Sequence, residues 1–388
     1  MKNIIFINSH PIQYFAPMYK FMNQHGLKTK AWYCSDESLK GAKDSEFGIN
    51  ITWDIPLLEG YESEFFKNYS WKPSQMNGFF GLINLGMITR IFKEPKSVII
   101  VHGWHYFTHF FILMLGRLCG HTVCLRNDMP QNQEVLKKGF KQKIKKAGLK
   151  YFLFPRIDYF LFIGTQNYRL FQSYGIDDRK MVSCPYAVDN ERFRIEFRNL
   201  RNDVVEIKRK LGIPVDHKVI LYSAKYIDKK RPLDLLTAFR QLNDPNCWLL
   251  MVGEGGLRNE MEDYIRKFKL EQIILTGFVN QSRISEFYAI SDVFVMCSSI
   301  GENWGLSVNE AMNFGLPLIL SDLTGCSDDL VVSGKNGYIF KTGDIKELVE
   351  KLIDVLIERK LHPGTVSTDI LDTYSYKSVV ARLRPIAV

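Results

Sequence analysis

A chain of 388 residues is longer than one hydrophobic core usually serves, so two domains are expected. With 46% apolar, 13% aromatic and 24% charged residues, its composition is that of an ordinary globular protein and excludes a disordered chain. The formal charge of +9 calls for an anionic partner or a local explanation.

Met1-Lys2-Asn3 runs straight into the apolar Ile4-Ile5-Phe6-Ile7, without the long apolar segment and small-residue cleavage site of a signal peptide. A cytoplasmic protein is therefore expected. Apolar runs at 3–8, 27–33, 97–101, 122–125 and 159–163 read as buried parallel strands. Helical patterns at 15–25, 105–118 and 166–174 lie between several of them, which predicts an open doubly wound α/β sheet. The longest apolar stretch, 107–118, is broken by His109, Gly116 and Arg117 and is too short to span a bilayer. Residues 34–95 mix aromatics and charges and yield no clear elements. His105 and His109 stand four apart, but no His-Glu-x-x-His accompanies them, so they read as packing residues.

Much of the positive charge is local. Lys137, Lys138, Lys141, Lys143, Lys145, Lys146 and Lys150 fall within 135–152 with no acid among them, and Leu136, Phe140, Ile144 and Gly148 share one helical face. The readings are a solvated helix face or an anionic membrane surface met by residues 137–150. Nucleic acid is not expected, because no recognised binding module accompanies the charge. The seven cysteines are scattered, without Cys-x-x-Cys, and read as buried reduced thiols.

A polar, charge-rich stretch at 190–217 precedes a second alternating series. Its strands read at 219–223, 248–252, 273–276, 293–297 and 316–320, and its helices at 232–242, 257–268, 282–290, 306–314 and 346–357. The expected organisation is a first Rossmann-like domain over 1–195 and a second over 196–373, with 374–388 returning to the first. Ligands of such sheets bind outside the carboxyl ends of the strands, so the polar strand-end loops are where chemistry is expected, in a cleft between the domains.

The strongest loop runs Ser298-Ser-Ile-Gly-Glu-Asn-Trp-Gly-Leu-Ser-Val-Asn-Glu-Ala-Met-Asn-Phe-Gly-Leu-Pro. It places Glu302 in the loop, Gly305 at a helix start and Glu310 past the first turn. Gly305 lets backbone approach a ligand, and the amides of Trp304, Gly305, Leu306 and Ser307 suit a diphosphate. Taken alone, both glutamates could equally be ordinary acids near a helix start.

Glu302 and Glu310 with Gly305 between them, then Glu-Ala-Met and Gly-Leu-Pro, resemble the Glu-(seven residues)-Glu motif of the family 4 glycosyltransferases, the glycosyl transferases group 1 type. Tyr222-Ser-Ala-Lys-Tyr-Ile-Asp-Lys-Lys-Arg-Pro resembles that family's segment after the first strand of the second domain. Leu249-Leu-Met-Val-Gly-Glu-Gly resembles its glycine loop, and Pro185-Tyr-Ala-Val-Asp-Asn-Glu-Arg-Phe the segment before its interdomain linker. The resemblance implies the GT-B fold, with two Rossmann-like domains facing a cleft and a C-terminal helix crossing back to the first.

It also implies roles. Glu310 would hold the ribose hydroxyls, and Glu302 would touch the transferring hexose. Lys225, where relatives carry Arg, and Lys230 would stabilise charge on the departing diphosphate in place of a metal. Without the resemblance, the basic run that includes Lys230 reads as a solvated helix start. Gly253 would line the glycine loop, and Phe278 and Val279 the backbone that meets the base. In the first domain, His102 stands where relatives carry a histidine near the donor sugar. His10 and Gln13 would face the cleft, with Trp104, Arg126 and Asp128 nearby as acceptor contacts, although Ser9 or His10 as a helix cap is an equal reading. No Asp-x-Asp occurs, so neither metal nor cofactor is expected and the nucleotide-diphosphate sugar is a substrate. The expected activity is metal-independent, retaining hexosyl transfer from a UDP-sugar, ahead of a GDP-sugar, to a glycan or lipid-linked acceptor in cell-surface polysaccharide synthesis. A sugar-nucleotide epimerase on the same fold and a non-catalytic two-lobed binder are the alternatives.

Overall fold

The computed structural model describes residues 1–41, 48–358, 360–361 and 363–388. The chain divides into two compact units. The first comprises Met1–Ala42, Ile55–Tyr186 and Tyr374–Val388, and the second Lys43–Asp54 with Ala187–Thr373.

The first unit is a seven-stranded parallel sheet in the order β3-β2-β1-β4-β5-β6-β7. Its strands are β1 (Ile4–Asn8), β2 (Thr29–Tyr33), β3 (Glu62–Phe65), β4 (Val98–His102), β5 (Thr122–Asn127), β6 (Tyr159–Phe162) and β7 (Met181–Ser183). The central strands are continuous apolar runs, Ile-Ile-Phe-Ile in β1 and Val-Ile-Ile-Val in β4, because helices cover both faces. These helices are α1 (Phe15–Gln24), α2 (Leu85–Arg90), α3 (Phe107–Leu115), α4 (Gln131–Glu134), α5 (Phe140–Gly148) and α6 (Thr165–Ser173).

In the second unit the first helices are α7 (Asn190–Leu200) and α8 (Val204–Lys210). A six-stranded parallel sheet follows, in the order β10-β9-β8-β11-β12-β13. Its strands are β8 (Lys218–Ser223), β9 (Cys247–Val252), β10 (Ile273–Leu275), β11 (Val293–Met296), β12 (Leu318–Ser321) and β13 (Gly337–Phe340). Helices α9 (Pro232–Leu242), α10 (Arg258–Phe268), α11 (Ile284–Ala289), α12 (Leu306–Met312), α13 (Ser327–Leu330), α14 (Ile345–Leu356) and α15 (Gly364–Thr373) complete it. The core gathers Tyr222, Leu235, Leu249, Val295 and Leu352 from β8, α9, β9, β11 and α14.

The stretch at 190–217, read from sequence as polar, therefore holds two helices. Asp189 caps α7 by accepting the Arg192 amide at 3.0 Å. Phe193 packs its ring 6.0 Å from Phe314, which ties α7 to the second unit. The last helix, α16 (Tyr376–Leu383), returns to the first unit. Tyr376 donates to the Tyr14 carbonyl at 3.4 Å, Arg384 donates to that of His25 at 2.7 Å, and the Lys2 amide reaches the Ala387 carbonyl at 2.7 Å. Among the described residues no helix is long and apolar enough to cross a membrane.

Candidate active site

In the second unit, the loop after β8 is shaped from beneath by buried Tyr222, whose hydroxyl reaches the carbonyls of Lys225 and Lys230 at 3.2 and 3.4 Å. Arg231 then takes a left-handed backbone, φ 49°, immediately before Pro232 opens α9. A non-glycine residue held there is strained, and such strain persists where the surroundings fix it. The Ser299 amide donates to the Lys229 carbonyl at 2.7 Å and so zips this loop to the one after β11.

These two loops bring Lys230 and Glu302 into a direct ion pair. Both are largely shielded from solvent, and Ser298 donates a further hydrogen bond to Glu302 at 3.3 Å. A charge pair in such surroundings is far less screened than one at the surface. Lys225 is half-buried in the same loop. At Gly305 the backbone has φ 106°, and a β-carbon would come within 3.0 Å of the Met296 sulfur, so glycine alone fits comfortably. Leu306 and Ser307 begin the short helix α12, half-buried. Trp304 is buried, its indole N–H fixed on Asn309 Oδ1 at 2.9 Å, which makes the side chain a brace for the loop.

Glu310 is only 2% exposed. Its carboxylate accepts from the Tyr288 hydroxyl at 2.8 Å and from Gln281 Nε2 at 3.3 Å. Gln281 is itself held by Arg192, whose Nη1 and Nη2 reach its carbonyl and side-chain oxygens at 3.1 and 2.7 Å. Gly253, with φ 151° and an Ala224 carbonyl 2.0 Å from where a β-carbon would stand, joins the loop after β9 to that after β10 through the Gly277 carbonyl at 3.0 Å. Phe278 and Val279 sit half-buried in this last loop. Arg192, Gln281 and Tyr288 were not singled out from sequence.

In the first unit, His102 and Arg126 are register partners at the ends of β4 and β5. Arg126 is 2% exposed, its Nη2 bound to the carbonyls of Cys184 and Pro185 at 3.1 and 3.0 Å. Its guanidinium lies over the rings of Tyr186 and Phe15, at 4.8 and 5.3 Å. His102 packs edge-on against Phe15 at 4.8 Å, with Nε2 buried and without a hydrogen bond. Burial, then the charge of Arg126, hold its pKa well below the usual histidine value, so it is neutral near pH 7. Asp128 accepts from Tyr186 at 3.3 Å. Trp104 is buried against Phe154, with ring centroids 5.8 Å apart. His10 bonds locally to Ser9 at 2.9 Å, and Gln13 is half-buried. Neither Ser9 nor His10 caps α1, whose N-cap is Tyr14 without a side-chain cap. His105 precedes α3 rather than lying on it, whereas His109 is buried and bonds the His102 carbonyl at 2.9 Å.

The lysines of 137–150 are less uncompensated than the sequence suggests. Glu134, just outside that stretch, pairs with Lys137 at 2.8 Å and with Lys145 at 3.0 Å. α5 covers only Phe140–Gly148.

Residues 203–363 match the family described as Glycosyl transferases group 1. The match lies within the second unit. Two curated relatives extend the comparison: the sulfoquinovosyl transferase SQD2 of Arabidopsis thaliana, 27% identical over 51% of this chain, and the alpha-monoglucosyldiacylglycerol synthase of Acholeplasma laidlawii, 33% identical over 39%. The match spans 38% of the length of each relative. The crystal structure of Anabaena Alr3699/HepE in complex with UDP and glucose is similar over 100% of this chain and 99% of that one, with a TM-score of 0.74 at 14% identity. That likeness shows the fold, GT-B.

Proposed function

We propose that the protein transfers a hexose from a nucleoside-diphosphate sugar to an acceptor hydroxyl with retention of configuration and without a metal. The observation that carries this reading is the shielded Lys230–Glu302 pair together with the fixed Glu310 carboxylate, in a unit that matches the group 1 family. In this reading Glu310 accepts the ribose hydroxyls and Glu302 touches the hexose. Lys225, Lys230 and the amides of Gly305, Leu306 and Ser307 carry the diphosphate, and Gly253, Phe278 and Val279 border the nucleotide. The bond from C1 to the leaving phosphate oxygen breaks while the acceptor oxygen bonds C1 on the same face. The acceptor proton passes to the departing diphosphate. Charge grows on that diphosphate in the transition state, which is where fixed cations lower the barrier. Neutral His102 then positions the sugar. UDP is the favoured donor nucleotide, supported by the UDP complex of the Anabaena neighbour.

The acceptor is proposed to be lipid-linked or membrane-bound, reached from the cytoplasmic face, as in cell-surface polysaccharide assembly. The name of the Acholeplasma relative, a glucosyldiacylglycerol synthase, agrees with a lipid context. So does the surface of the first unit. No acid occurs between Glu64 and Glu94 or between Glu134 and Asp158. The first of these segments carries a loop pinned by Asn68, which bonds the Ile83 amide at 2.9 Å and the Gly81 carbonyl at 2.9 Å. That loop leaves Trp71 71% exposed, with Tyr69, Met76 and Phe80 exposed beside it. The second leaves Phe140 76% exposed among the lysines. Aromatics and lysines with no acid suit the interface of an anionic bilayer.

The test is a thermal-shift panel of nucleoside diphosphates and their sugars, followed by product analysis with and without a glycan acceptor. A bound nucleotide raises the midpoint by mass action. Transfer product with the anomeric configuration of the donor supports the proposal; an epimerised sugar nucleotide formed without acceptor, or no stabilisation by any nucleotide, overturns it.

A further inference from the structure

We propose that Trp53 forms the outer wall of the nucleotide-base pocket and stacks on the base. This inference rests on the nucleotide-sugar reading above. It adds a side chain where the family resemblance leads one to expect backbone contacts only.

Residues 48–54 fall in sequence between β2 and β3 of the first sheet, yet they pack with the second unit. Ile51 is buried there. On either side of Trp53 the backbone is pinned to the loop after β10. Asn280 Nδ2 donates to the Thr52 carbonyl at 2.7 Å, and the Asp54 amide donates to Asn280 Oδ1 at 3.4 Å. The Asp54 carboxylate accepts from the Ser282 amide at 3.2 Å and from the Ser282 hydroxyl. An acid at that point also meets the start of α11, where negative charge is favoured. Trp53 is thereby held with its ring edge-on to Phe278, centroids 5.7 Å apart and planes at 70°. Both rings are half-buried, so each keeps part of its surface for another partner.

The other side of the same loop faces the proposed ribose ligand, since Gln281 donates to Glu310. A nucleotide with its ribose on Glu310 and its diphosphate towards Lys230 must direct its base away from Lys230. The loop that touches Glu310 through Gln281 is the loop that carries Phe278 and to which the strap bearing Trp53 is pinned. A flat base has a π-face that stacks on aromatic side chains whatever its hydrogen-bonding pattern, whereas backbone contacts recognise only the edge. Trp53 would therefore strengthen nucleotide binding in general more than it selects one base.

The probes are UDP, GDP, ADP and inorganic pyrophosphate, titrated into the full chain by calorimetry, with tryptophan fluorescence recorded alongside. For whichever nucleotide the wild type binds most tightly, Trp53→Ala is expected to weaken binding by about tenfold while pyrophosphate affinity stays unchanged. Trp53→Phe should retain most of the affinity but lose the quenching that the nucleotide causes in the wild type. This second variant decides the matter should Trp53→Ala fold poorly. Equal nucleotide affinity in wild type and Trp53→Ala, or the same quenching in Trp53→Phe, overturns the inference while leaving the nucleotide site standing. A wild type that binds none of the three nucleotides overturns the site itself.

Discussion

The two strand-end clusters achieve order by opposite means. In the second unit each carboxylate is tied by named partners: Glu302 by Lys230 and Ser298, and Glu310 by Tyr288 and Gln281. In the first unit Arg126 and His102 are desolvated, and Arg126 Nη2 is tied to backbone carbonyls. Arg126 lies against aromatic rings, its Nε and Nη1 buried without hydrogen bonds, and His102 Nε2 is in the same condition. A desolvated site suppresses the protonation of its histidines and is stable only while they stay neutral. The first-unit cluster thus keeps one buried cation, Arg126, beside a histidine held neutral.

The largest effect expected from breaking this contrast is at Lys230. Lys230→Ala should lower turnover by about a hundredfold or more, with a smaller loss of donor binding, because the cation acts on charge that develops during bond cleavage. Steady-state kinetics in the presence of chelator check both this and the metal-free reading. A loss below about threefold would shift leaving-group stabilisation to Lys225 or the backbone amides, and activity rescued only by magnesium or manganese would contradict it.

Vesicle sedimentation sharpens the comparison from the surface. Lys138, Lys141 and Lys143 are exposed, whereas Lys145 is engaged with Glu134. Changing the three exposed lysines to Glu should lower partitioning onto anionic vesicles at low salt by well over tenfold, at about 1 kcal/mol per lysine. Neutral vesicles should bind neither form, and high salt should release the wild type. Equal binding to neutral vesicles would mean that the exposed aromatics act without the lysines.

The first-unit cluster is tested by acid. Burial, then the charge of His105, hold His109 down to about 3, against about 6.5 for an unfolded histidine. Between those values the unfolded chain binds more protons, so stability falls as pH drops below about 6.5, by about 1.4 kcal/mol per pH unit for one such group. Thermal midpoints between pH 7 and pH 5 should fall, and His109→Gln should flatten that slope. An unchanged slope would show that His109 is not kept neutral by the fold.

The smallest effect is expected at Tyr288. Tyr288→Phe removes one hydrogen bond to Glu310 and should weaken nucleotide binding a few-fold, with turnover at saturating donor nearly unchanged. A collapse of kcat instead would give the phenol a role in the reaction.

What the sequence disclosed follows the same contrast. The buried strands β1, β4, β8 and β11 were legible as apolar runs, and the Glu302/Glu310 loop as a spacing. β3 was not, because this edge strand reads Glu-Ser-Glu-Phe, without an apolar run. α7 and α8 bury so few side chains, Asn190, Phe193 and Lys208, that their sequence reads as solvated and polar. Tyr288 and Gln281 lie 22 and 29 residues from Glu310 in the chain, so only the folded sheet joins them to it. The strap carrying Trp53 was hidden for the same reason, since its partners come some 226 residues later.

Glu310 is the fixed carboxylate at the centre of the proposed nucleotide site. Calorimetry of UDP binding to chelator-treated wild type and Glu310→Ala tests that most directly. A charged hydrogen bond contributes about 1.5–3 kcal/mol, so the variant should bind at least tenfold more weakly while the wild type binds without metal. Equal affinity in the two proteins would remove Glu310 from the site and with it the reading built around it.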